Sequence, residues 1–66
     1  MAYEKQHRLR DELNARFPRR RGNLGQQMFR SVYFNHRMHG DNVEDAISSS
    51  ITAVQTYVPD FTPIEA

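Results

Sequence analysis

With 66 residues and no cysteine, the chain has room for one domain and no means of building disulfides, thiolate metal sites or a thiol nucleophile. Its formal charge of +1 conceals a division. The first forty residues hold all nine basic side chains against three acids, giving +6, while the rest hold five acids and no base, giving −5; such a split marks a polyanion-binding half, or two halves that attract each other within or between chains.

The first predicted helix covers residues 2–17. Its apolar stripe is thin (Ala2, Leu9, Leu13 and Phe17, with Tyr3 at the margin), set among Glu, Lys, Gln and Arg, which favour helix. Pro18 stops it, and Pro18-Arg19-Arg20-Arg21-Gly22 reads as a basic loop.

The second helix is predicted over 24–38. Leu24, Met28 and Val32 recur at four-residue steps, flanked by Phe29 and Tyr33. Asn23 and Gln26 have the spacing of a capping box, and Gly40 suits the C-terminal cap. Gly25 weakens the first turn, and Phe34 lies off the main arc, as a second contact or an exposed aromatic.

The third helix, over 42–58, carries the clearest pattern. Val43, Ala46, Ile47, Ile51, Ala53, Val54, Tyr57 and Val58 fall on one arc of roughly 160°, with only Ser50 among them. Glu44, Asp45, Ser48, Ser49, Thr52, Gln55 and Thr56 fill the opposite face. Asp41 and Glu44 fit a capping box, and Pro59 ends the helix by forcing Val58 out of the helical region. Residues 59–66, with two prolines, read as an extended tail without regular structure.

The expected architecture is therefore all-α: a small three-helix bundle over residues 1–58, with antiparallel neighbours and an irregular tail. The arc of the third helix is wide enough for two partner helices. A core this small gains most from self-association, so a homodimer is expected, with Val43, Ala46, Ile47, Ser50, Ile51, Val54 and Tyr57 as its core or dimer face. Ala46, Ser50 and Ala53 form a small-residue line that lets another helix come close.

No constellation of residues points to catalysis, so no enzyme, cofactor or small-molecule substrate is expected. Ser48, Ser49 and Ser50 lie inside a helix without a nucleophile turn. His36 and His39 share a helix face, but a third ligand at zinc spacing is lacking, so no metal is expected. A helix-turn-helix reader is disfavoured, because the third helix is acid or neutral outside and a DNA groove repels it.

What remains is binding. Eight of the nine bases are arginine, whose fork pairs with phosphate or carboxylate, and arginine and aromatic residues concentrate at the energetic centres of interfaces. Arg19, Arg20, Arg21, Arg30, Tyr33, Phe34 and Arg37 are the expected partner-binding set. The leading expectation is a non-enzymatic interaction or regulatory protein that acts as a homodimer by binding another macromolecule, a protein being the expected partner, as phage and mobile-element accessory factors of this size do by analogy. The alternative is a nucleic-acid-associated protein making phosphate contacts through its arginine-rich half. No stretch is long and apolar enough to cross a membrane, and the cytoplasm is the default location.

Overall fold

The computed structural model describes residues 2–66, and among them every regular element is helical: α1 (Ala2–Arg16), α2 (Leu24–Met38) and α3 (Val43–Gln55). The side chain of Ala2, the first member of the predicted α1 stripe, lies outside the described residues. α2 is the central helix. It packs against both α1 and α3, whereas no Cα of α1 comes within 8 Å of α3. Long-range bonds show that α1 runs antiparallel to α2: Lys5 meets Met38 at one end and Asn14 meets Arg30 near the other.

The core is aromatic. Phe17, Phe29 and Tyr33 are each wholly buried, and their rings meet with centroids 4.8–5.9 Å apart. Phe61 from the tail joins them, 5.8 Å from Phe29. Leu13, Ala46 and Val54 complete the cluster, with Met28, Phe34, Ile47, Ile51 and Val58 packed on its margin. On α3 the buried line is Ala46, Ser50 and Val54, one residue per turn, while Val43 and Ala53 are half-buried. Ser50 has a cost: its Oγ is buried without a hydrogen-bond partner. Tyr57, expected in the core, is instead 74% exposed. The reason is that α3 ends at Gln55, so Thr56 and Tyr57 sit in a turn where the helical period no longer holds.

Each helix end is closed by identifiable partners. α2 starts at Asn23, whose side chain accepts the Gln26 backbone N–H at 2.9 Å. It ends in a Schellman arrangement, with Gly40 (φ +98°) donating to Arg37 and Asp41 donating to His36. Lys5 adds a cation at the Met38 carbonyl, where the dipole favours it. The cap of α3 is Asn42 and not Asp41: Asn42 Oδ1 accepts the Asp45 N–H at 2.8 Å. Asp41 is occupied elsewhere, with its Oδ2 2.6 Å from His36 Nδ1 and its carbonyl accepting from Arg37.

The tail has no regular secondary structure but is tied down by side chains. Gln26 is wholly buried, and its amide donates to the carbonyls of Pro18 (2.9 Å) and Ile64 (3.0 Å) while its Oε1 accepts the Ile64 N–H (2.9 Å). The far half of the predicted capping box thus reaches across the fold and leaves its own helix end. Three consecutive carbonyls at the exit of α1 find distant donors: Ala66 N–H for Arg16, the Arg30 guanidinium for Phe17 and Gln26 for Pro18. Such exit carbonyls have no partner within the helix, and here α2 and the tail supply one. Phe61 lies directly over Gly25, where a Cβ would stand 2.7 Å from the Phe61 ring.

Candidate arginine groove

The exit of α1 also fixes the arginine loop. Arg20, Arg21, Gly22 and Asn23 form a turn closed by the Asn23 N–H on the Arg20 carbonyl at 3.1 Å. Gly22 sits at its third position with φ +79°, a conformation that L side chains resist and that lets the loop double back into α2. Arg19, Arg20 and Arg21 are left exposed beside the α1–α2 seam.

A groove of about 500 Å³ opens there, lined by Arg10 and Leu13 of α1, Arg19, Arg20 and Arg21 of the loop, and Gln27, Arg30, Ser31, Phe34 and Asn35 of α2. Five of its ten lining residues are arginine, and none is acidic. Among the described residues, the carboxylates in ion pairs serve other cations: Glu12 holds Arg37, Glu65 lies 3.6 Å from Arg16, and Asp41 meets His36. Arg10, Arg19, Arg20 and Arg21 have no carboxylate within pairing distance. The Arg10 guanidinium lies over the Phe34 ring, 4.5 Å from its centroid.

Arg30 forms the inner wall. It is 7% exposed and donates to the Phe17 carbonyl and, at 2.7 Å, to Asn14 Oδ1. Burial, and the cations of Arg19 and Arg10 beside it, push its pKa down. Like charges converge here without a facing carboxylate, an arrangement that a bound anion would relieve.

The seven residues expected to meet a partner therefore divide. Arg19, Arg20, Arg21 and Phe34 line the groove with accessible surface. Arg30 lines it too, but both its terminal nitrogens are engaged, with Asn14 and with the Phe17 carbonyl just past α1. Tyr33 has no exposed surface, and its hydroxyl donates to Glu12 Oε2 at 2.9 Å. Burial first, and this hydrogen bond second, push the phenol up to about 12. Arg37 grips both oxygens of the same carboxylate, at 2.8 and 2.9 Å. That paired bond is the main cause holding Glu12 below the ordinary carboxylate range and Arg37 above its own. Tyr33 and Arg37 thus join α1 to α2 and are turned inward, because Glu12 lies opposite them across the helix pair. Arg10, Leu13, Gln27, Ser31 and Asn35 are the groove residues that sequence reasoning missed.

The three histidines are engaged locally, His36 with Asp41, His39 Nδ1 with the Asn35 carbonyl at 2.7 Å, and His7 against the Tyr3 ring with centroids 4.4 Å apart. No group of three or more metal-ligating side chains gathers among the described residues, and no helix there is long and apolar enough to cross a membrane. Compared with protein-family models, curated proteins and solved structures, the chain matches none.

Proposed function

We propose that this chain is a non-enzymatic binding protein that acts by holding the phosphate backbone of a nucleic acid in its arginine groove. The observation that carries this reading is the convergence of Arg10, Arg19, Arg20 and Arg21 on one groove with no acid in its lining. Guanidinium groups bind phosphate through paired hydrogen bonds, and released counterions supply the free energy. The protein partner favoured by the sequence draws less support. Arginine and aromatic residues anchor protein interfaces together, but Tyr33, the largest aromatic of the expected set, is buried, and the exposed Tyr3, Leu24 and Tyr57 lie outside the groove lining. The acids of α3, Glu44 and Asp45, are exposed at its N-terminus, where they repel a polyanion and favour approach by the arginine side.

Fluorescence anisotropy of a labelled oligonucleotide over a range of salt concentrations tests the reading. Four phosphate contacts give a slope of log K against log salt of about −3. The triple variant Arg19→Ala, Arg20→Ala, Arg21→Ala should bring the slope to about −1 and abolish binding at moderate salt. Absence of binding at low ionic strength overturns the proposal.

A second reading is a homodimer in which the exposed Glu44 and Asp45 of one copy meet the arginines of another; the charge division between the halves of the chain favours it. Light scattering over a dilution series decides it: a dimer weakened by salt supports the pairing, and a folded monomer at micromolar concentration excludes it.

A further inference from the structure

Resting on the phosphate reading above, we infer that the groove is built for single strands, with one unpaired base stacked on the Arg10 guanidinium where it covers Phe34. Phe34 is half-buried and packed against the core, which fixes its ring. Arg10 is exposed, stands over that ring at 4.5 Å, and makes no side-chain hydrogen bond among the described residues. Its guanidinium is therefore held at the aromatic ring and stays accessible from the groove that both residues line. A flat, cationic surface is what the π-face of a base stacks on.

The surroundings fit the same ligand. Arg19, Arg20 and Arg21 border the platform and can take the phosphates of the strand whose base it holds. Gln27, Ser31 and Asn35 follow one another at four-residue steps on α2 and line the groove. Their side chains make no hydrogen bond within the described residues, so they can meet the edges of the stacked base.

A duplex hides the faces of its bases within the stack and offers the groove only phosphates. A peptide of acidic residues alone offers carboxylates but no flat ring, and Phe34, with Arg10 over it, gives it little open apolar anchor. Of these three ligands, the single strand uses both halves of the site.

Labelled single-stranded oligothymidine about twelve nucleotides long, within the site size of small single-strand binders, is compared with three competitors. They are the matching abasic strand, a duplex of the same length and a polyglutamate peptide. Wild-type protein should bind the single strand about tenfold more tightly than the abasic strand or the duplex. Phe34→Leu should bring the ratio of single-strand to abasic affinity toward one. Arg10→Lys, which keeps the charge and loses the plane, should do the same should Phe34→Leu prove poorly folded by circular dichroism. Equal affinity for the single and abasic strands, or a ratio that survives both substitutions, overturns the stacking site and leaves the phosphate reading standing. Binding of none of the nucleic acids overturns both. Polyglutamate binding as tightly as the single strand assigns the groove to an acidic protein.

Discussion

Replacing Gln26 with leucine removes the one amide that joins the loop before α2, the body of α2 and the tail. The side chain is wholly buried and makes hydrogen bonds of 2.9, 3.0 and 2.9 Å to Pro18, Ile64 and Ile64. Leucine is of similar volume but leaves the Ile64 N–H and two carbonyls without their partner. An orphaned buried polar group costs about 1–3 kcal/mol. Pro18 and Ile64 are only half-buried, so their carbonyls can turn to water, and the N–H sets most of the loss. Added apolar burial offsets about 1 kcal/mol, leaving a net destabilisation of about 2 kcal/mol. A domain this small is stable by about 3–10 kcal/mol in all, so Tm should fall by about 10 °C. Urea denaturation followed by far-ultraviolet circular dichroism gives the free energy, and amide exchange shows where it is lost. The Ile64 and Ala66 amides should lose protection before those of α1 and α2. A loss below about 0.5 kcal/mol with the Ile64 amide still protected would refute the clasp.

Gly25→Ala should destabilise the fold by about 1–3 kcal/mol despite the better helix propensity of alanine, because the new methyl meets the buried Phe61 ring at 2.7 Å; an unchanged or higher Tm counts against that packing. Ser50→Ala should raise stability by about 1 kcal/mol in urea denaturation, since the hydroxyl it removes is buried without a partner. Tyr33 has a folded-state pKa of about 12, above its ordinary value of 10.0. It therefore contributes stability that is complete below the lower value and is lost as pH rises through the upper one. Urea denaturation at stepped alkaline pH should show that decline in the wild type and a smaller one in Tyr33→Phe, and equal declines would contradict it.

Local chemistry made most of the helices legible. α2 occupies its predicted span, because Asn23 and Gly40 are unambiguous stop signs at either end. α3 is shorter than its apolar arc implies. Asp41 and Asn42 are both good caps with an acid three residues on, and the contacts that hold Asp41 to His36 and Arg37 leave the cap to Asn42. At the other end Pro59 forbids a helical Val58. The true stop comes at Gln55, whose side chain donates to the Phe61 carbonyl at 3.0 Å as the chain turns to lay that ring on Gly25. The groove was half legible. The arginine run was plain in the sequence, but which arginines remain free depends on partners far along the chain. Glu12 lies 25 residues from Arg37, and Asn14 lies 16 from Arg30. No periodicity carries such pairings, and the same holds for Gln26, whose local spacing pointed to its own helix end.

The most direct test is to map the bound ligand amide by amide, titrating isotopically labelled protein with single-stranded oligothymidine at low salt. Shifts should concentrate at Arg10, Leu13, Arg19 to Arg21, Gln27, Ser31, Phe34 and Asn35, and leave Glu44, Asp45, Ser48 and Ser49 still. Shifts gathered instead on the acidic side of α3, or a spectrum unmoved at ligand excess, would show that the arginine groove is not a nucleic-acid site.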